Sequence, residues 1–190
     1  MSARHRLGAP VPLIVGFALF IVALVWLVAS SLQRRDAPVF ALSAANRERS
    51  ANWKESGDTL TLDATDGEHW RFASLENGRA LPLGDSTGWN IAVQRHRITV
   101  AGALADLGAV PFDDARVTDS ATFLSSTGDR ANDAIERWYA YSFTTHLLTS
   151  TRHVYALRSR DGALWKLQVL AYYCPGLTAG CLTIRYAPLR

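Results

Sequence analysis

The stretch Val11–Leu32 reads VPLIVGFALFIVALVWLVASSL, 22 residues without one charged side chain. As an α-helix rising about 1.5 Å per residue it would be about 33 Å long, which matches the roughly 30 Å of hydrocarbon in a bilayer. Such a run predicts a single membrane span, with Val11 and Leu32 at its ends. Arg4, His5 and Arg6 precede it and Gln33, Arg34 and Arg35 follow it, so both flanks carry groups that prefer headgroups and water. Trp26 falls in the last third, where an amphipathic indole suits the interface. A secretory signal is the competing reading, and Val28-Ala29-Ser30 resembles a cleavage site, but the apolar core is longer than a typical signal carries. The reading adopted is an uncleaved anchor.

The anchor divides the chain into a short tail (1–10), a membrane helix (11–32), a stalk (33–52) and one extracytoplasmic β domain (53–190). A chain of this length after the anchor suffices for one core and no second domain. The calculated pI near 9.1 invites a nucleic-acid reading, which the charge distribution removes. Four of the 20 basic residues, Arg4, Arg6, Arg34 and Arg35, flank the anchor, and the other 16 face all 17 acidic ones. No basic run remains in the domain to follow a phosphate backbone.

The two cysteines lie in Cys174-Pro175-Gly176-Leu177-Thr178-Ala179-Gly180-Cys181. A disulfide closing this turn-rich loop would stabilise by roughly 2–3 kcal/mol in the chain-entropy model, and would indicate an oxidising compartment. Two free thiols are the alternative. The positive-inside rule, with Arg34, Arg35, Arg47 and Arg49 behind the helix, points to a cytoplasmic domain. That rule is weak for a large following domain, so the expected topology is a single pass of the bacterial inner membrane with the C-terminal domain in the periplasm.

Downstream the pattern is β. Residues 42–49, with Ser43 as cap, suggest a short helix in the stalk. Thr59-Leu60-Thr61-Leu62, the Asp66-Gly67 turn and His69-Trp70-Arg71-Phe72 predict a hairpin, and Asn77-Gly78 a second turn. Trp89, Ile91 and Val93 alternate along one strand, and Ile98 to Val100 extends it or begins the next. Residues 101–133 read as long loops rich in Gly and Asp, with a short helix expected over 131–137. The C-terminal third reads as a meander of three or four antiparallel strands. The expected fold class is therefore all-β, an antiparallel meander or sandwich-like domain, behind one transmembrane helix.

Chemistry-bearing motifs are few. Gly84-Asp85-Ser86-Thr87-Gly88 fits the nucleophile-elbow pattern, but that elbow joins a strand to a helix, whereas here a strand follows; a polar turn is expected. No zinc-protease or haem-attachment motif occurs, so no catalytic or metal site is assigned. His146 and His153 flank residues 147–152, read as a hairpin loop, and two converging imidazoles could ligate haem iron.

The C-terminal half, through Trp89-Asn90-Ile91-Ala92-Val93, Tyr155-Ala156-Leu157-Arg158 with Asp161-Gly162, Trp165-Lys166-Leu167-Gln168-Val169-Leu170 with Tyr172-Tyr173, and Leu182-Thr183-Ile184-Arg185-Tyr186, resembles the HmuY-like family over residues 59–186. The resemblance implies a β-rich, exported bacterial domain, and haem as a ligand because the best-known members bind it. Asn90 and Val93 depart from the Asp and Phe expected there, and His146 and His153 rest on geometry, not on the family's ligand pair. No cysteine follows the apolar run to receive lipid, and a proteinaceous helix can pack on other helices through small residues such as Gly16 and Ala18. The leading expectation is a non-enzymatic accessory subunit without a cofactor, its helix in the lipid bilayer and its domain bracing an integral-membrane complex, respiratory or photosynthetic. The alternative is a membrane-anchored haem-binding protein.

Overall fold

A computed structural model describes residues 11–32, 57–81, 84–128 and 130–189. The short helix expected over 42–49, the rest of the stalk and the basic flanks of the anchor lie outside the described residues. The chain forms two compact units, one containing the membrane-length helix and the turn Ser142–Leu147, the other the rest of the described chain.

Helix α1 covers Val11–Leu32; it carries no charge, and Pro12 falls in its first turn, where the missing N–H is tolerated. Over Val11–Ser30 its mean hydropathy is 2.9, long and apolar enough to cross a membrane. Its side chains are exposed from Val11 through Ala29, Trp26 at 71%. Gly16 has open space where a Cβ would stand. Positions two apart lie about 200° around a helix, so Gly16 and Ala18 offer two small spots rather than one stripe.

The second unit is antiparallel β. Its strands are β1 (Asp58–Asp63), β2 (Arg71–Ser74), β3 (Arg79–Ala80), β4 (Ile91–Gln94), β5 (Arg97–Val100), β6 (Gly102–Asp106), β7 (Leu124–Ser125), β8 (Tyr139–Tyr141), β9 (Leu148–Ser150), β10 (Val154–Ser159), β11 (Leu164–Tyr173) and β12 (Ala179–Pro188). Among the described residues they form a six-stranded sheet β1-β12-β11-β10-β6-β7, a four-stranded sheet β3-β2-β4-β5 and the hairpin β8-β9. The meander expected at the C-terminus is β10-β11-β12, bracketed by β1 and β6.

Burial explains the composition of these strands. Ile91, Ala92 and Val93 are consecutive and fully buried, so β4 is covered on both faces. Leu60, Thr61 and Leu62 are likewise buried, and Thr61 meets this burial by sharing a 2.8 Å hydrogen bond with Thr183 across the β1–β12 pair. Asn90 is 6% exposed; its Oδ1 accepts from the Leu75 N–H at 2.8 Å, while its own main chain bonds Ala73 and Ala101. The departure from Asp at this position is therefore a neutral knot tying the turn after β2 to the open end of the β4–β5 pair.

Four sequence expectations change. The hairpin expected over residues 59–72 does not form: β1 pairs with β12 and β2 with β3 and β4. Residues 64–70 form a corner between the two sheets, where the Asp63 carboxylate accepts from Thr65 and that of Asp66 from the Glu68 and His69 N–H groups. Alternation located the strands and the turn but not the partners. Secondly, β6 lies within the expected loop region, because Gly102 begins a strand instead of breaking one. It adopts φ +143°, and a Cβ there would stand 2.0 Å from the Arg158 carbonyl oxygen. Thirdly, the helix expected over 131–137 is a single 3-10 turn, Asp133–Ile135, capped by the Asn132 side chain accepting from the Ala134 N–H. Lastly, residues 147–152 are not a loop, since Leu148–Ser150 pairs with Tyr139–Tyr141; three residues are too few to display a period. Asn77-Gly78 does make its turn, between β2 and β3.

Cys174 and Cys181 form the expected disulfide, with Cα atoms 5.0 Å apart, closing the turn between β11 and β12. The neighbouring Gly180 at φ +122° lets the chain pass the corner after β1; a Cβ would meet the Thr65 Cα at 2.8 Å.

Candidate functional site

His153 immediately precedes β10, where β6 ends alongside. Pairing of β6 with β10 brings Asp106 opposite Tyr155, and His153 Nδ1 sits 2.9 and 3.1 Å from the two Asp106 carboxylate oxygens. Asp106 also accepts from the Gly108 N–H at 2.7 Å, and Leu107 and Gly108 exchange main-chain hydrogen bonds with Val154. The carboxylate is thereby fixed, and with it the imidazole. Since Asp106 occupies Nδ1, the Nε2 nitrogen is the one His153 would offer to a ligand, an arrangement typical of oriented metal-binding histidines. Tyr155, fully buried beside this pair, has its phenol pushed well up, first by burial and then by the negative charge of Asp106.

Asp106 also forms part of the wall of a cleft of about 600 Å³. The remaining wall comes from residues 107–122 and from Leu124 and Ala134, and carries Asp114, Arg116, Thr118, Ser120 and Thr122. Arg116 Nη1 donates to the main-chain oxygens of Asp113 and Ala115 at 3.1 and 2.8 Å. The volume would admit a tetrapyrrole, but the wall does not fit one. Leu107, Val110, Ala115, Ala121, Leu124 and Ala134 give it apolar surface, but haem also requires cations for its two propionates, whereas here two carboxylates accompany one guanidinium.

His146, the other histidine singled out from sequence, lies in the turn between β8 and β9 at φ +55°, its N–H donating to the Ser142 carbonyl at 2.8 Å. Neither it nor His153 is among the residues that line the cleft, which Asp106 alone of the His153–Asp106 pair does. Ser86 is exposed in a turn, as expected of the Gly84–Gly88 motif, and the adjacent Asp85 carboxylate faces Thr87, accepting from its N–H at 2.9 Å and its hydroxyl at 2.7 Å. Those two bonds hold Asp85 below the usual carboxylate range.

The aromatic residues gather elsewhere. Trp138 is 1% exposed, its ring edge-on to Tyr139 and Tyr172, and its Nε1 donates to the His96 carbonyl at 2.8 Å. The Leu148 N–H donates to the Tyr173 hydroxyl, and Ser150 Oγ to the Val169 carbonyl. These contacts seat the β8–β9 hairpin on β11. Trp138, Tyr172 and Tyr173 thus serve as packing; sequence reading did not find Asp106, whose partner is 47 positions away. The sole local signal was the Asp-Leu-Gly turn it opens.

No family model matches the chain, and no curated protein matches it. Solved structures do. A Bacteroides vulgatus protein assigned as a HmuY-like haem binding protein superposes with a TM-score of 0.63 at 19% identity, over 75% of this chain and 97% of that one. The fold is HmuY-like. The apo HmuY analogue of Tannerella forsythia matches at a TM-score of 0.57 and 14% identity over 68% of this chain and 94% of its own. A Bacteroides fragilis protein assigned as a lipoprotein matches at 0.58 and 15%, over 75% of this chain and 100% of its own. At such identities the HmuY-like resemblance establishes the architecture of the β domain and not its ligand.

Proposed function

We infer that this chain is an exported, membrane-anchored binding protein without catalytic activity: α1 crosses the bacterial inner membrane once, and the HmuY-like domain in the periplasm binds and braces a larger membrane protein complex. The observation that carries this reading is the union, on one chain, of an exposed apolar helix of spanning length and a disulfide-closed β domain. The helix supports anchoring, the disulfide supports an oxidising compartment, and a helix in a bilayer can pack against neighbours as a lipid tether cannot. Alkaline phosphatase fused after Arg190 is expected to be active; an inactive fusion would place the domain in the cytoplasm.

A second reading, haem binding, is favoured by one observation, the His153 imidazole oriented by Asp106 in a fold shared with an assigned haem binding protein. The shortage of cations in the cleft wall, one guanidinium beside two carboxylates, weighs against it. One experiment separates the two: purification of the full chain from native membranes in mild detergent, with mass spectrometry and a visible spectrum of the same sample. Stoichiometric integral-membrane partners are expected. A lone protein with a Soret band, lost in the His146→Ala, His153→Ala double variant, would replace the accessory reading with the haem one.

A further inference from the structure

The β8–β9 hairpin differs in chemistry from the rest of the domain. From Tyr139 to Thr151 it contains no Asp, Glu, Lys or Arg, although such residues make up 19% of the chain. At the tip Phe143 is 84% exposed, and Tyr141 44%. A phenylalanine so exposed in a fold that buries most of its large apolar side chains indicates a surface used for contact.

The backbone of the tip is bonded from within. Ser142 N–H donates to the Leu147 carbonyl at 2.9 Å, His146 N–H to the Ser142 carbonyl at 2.8 Å, and Thr145 N–H to Ser142 Oγ at 3.3 Å. The hydroxyls of Ser142 and Thr144 lie 3.2 Å apart and share a hydrogen bond. A turn that bonds several of its own polar groups and carries no Asp, Glu, Lys or Arg loses less on leaving water than a charged one, while an exposed aromatic gains. A rim of Asp, Glu, Lys or Arg, which commonly surrounds a protein-binding patch, is what this tip lacks; its polar side chains are Ser142, Thr144, Thr145 and His146.

We propose that the tip of the β8–β9 hairpin, centred on Phe143, rests in the headgroup region of a lipid bilayer. The inference rests on the reading of α1 as a membrane span. Residues 33–56 join helix and domain, and at most about 3.5 Å per residue keeps the domain within about 80 Å of that membrane. Tethering raises the effective concentration of lipid at the tip, so one aromatic contact with a neutral rim is enough to matter. The aromatics serve as interfacial anchors of the kind that Trp and Tyr provide at the ends of spans.

The test uses the full chain in lipid nanodiscs. Because the native cysteines are joined to each other, a thiol introduced by Phe143→Cys can be labelled selectively with an environment-sensitive NBD dye, and Ser86→Cys in the exposed polar turn provides the reference. The expected result is a blue-shifted NBD emission at 143 that is quenched by headgroup-proximal spin-labelled lipid, with emission at 86 water-like and unquenched. Emission at 143 as water-like as at 86 overturns the proposal. So does shielding at 143 that appears in native membranes but not in nanodiscs of pure lipid, which would assign the tip to a protein partner. Alkaline carbonate extraction of the same protein tests α1 by itself: release from the membrane would remove the anchor, whereas retention with an unshielded tip removes only the tip contact.

Discussion

Two segments of similar length, the strands β10 to β12 and the stretch 107–137, are held by different physics. In the strands each residue shares its task with neighbours, since ladder hydrogen bonds run along both edges of β11 and buried side chains line both faces. In the stretch 107–137 few ladders exist, and single side chains carry whole connections. Asn132 donates from Nδ2 to the Leu124 carbonyl at 2.8 Å and to Ser126 Oγ at 3.1 Å, while its Oδ1 caps the following turn. Lys166, 6% exposed, donates to the Phe112 carbonyl at 2.9 Å and stands 4.7 Å over the Phe112 ring. The cleft is built from this second kind of structure, because loops set by individual knots can be shaped without disturbing a sheet.

The difference is open to attack from the strand side first. Gly102→Ala places a methyl against the Arg158 carbonyl in the one geometry that a sheet cannot relax, and is expected to cost about 4 kcal/mol or more, seen as loss of folded protein or a collapsed urea midpoint. A variant of near-native stability would show that β6 pairs differently from Ala103↔Arg158 and its neighbours. Next is Trp138→Ala, expected to cost about 3–5 kcal/mol, since the ring is buried and its Nε1 donates to the His96 carbonyl, a bond that alanine cannot make. Hydrogen exchange should show the β8–β9 hairpin opening before the six-stranded sheet; uniform loss of protection would mean that hairpin and sheet are one cooperative unit.

The same contrast explains what could be read from sequence. The helix Val11–Leu32 was legible because an uninterrupted apolar run of this length is itself the signal. The strands of the C-terminal third were legible because Asp161-Gly162 and the cysteine loop punctuate them and their apolar residues lie in unbroken runs. What stayed hidden was partnership. Leu60 and Leu62 announce a strand, yet nothing local says that it pairs with residues 181–186 rather than with Arg71–Ser74. Asp106 and His153 meet only because β6 aligns with β10, and β6 itself opens with a glycine that local rules count as a breaker. Asn132 looks like any loop asparagine until its three partners are known.

From the knot side, Asn132→Ala is expected to cost about 1–3 kcal/mol, since Asn132 is itself buried and its loss takes a partner from the part-buried Leu124 carbonyl and Ala134 N–H. Equilibrium denaturation compared with an exposed control such as Ser86→Ala measures it, and a cost no greater than the control's would mean that water replaces the knot freely.

The smallest effect sharpens the border between the two regions, at the β4–β5 turn. His96 there lies beside Tyr139, with ring centroids 5.8 Å apart, and its pKa is lowered from 6.5, first by burial and then by the neighbouring Arg95 and Arg97. The unfolded chain therefore takes up the proton first as pH falls. Stability from the neutral ring is complete above pH 6.5 and is lost as pH drops below it through the folded-state pKa. His96→Gln removes the titrating group and leaves the main-chain oxygen that accepts from Trp138. Urea midpoints measured between neutral and mildly acidic pH should fall more steeply for the parent than for the variant. Equal slopes would show that the ring is as well solvated folded as unfolded, so that the turn carrying Trp138's acceptor moves freely against the hairpin it holds.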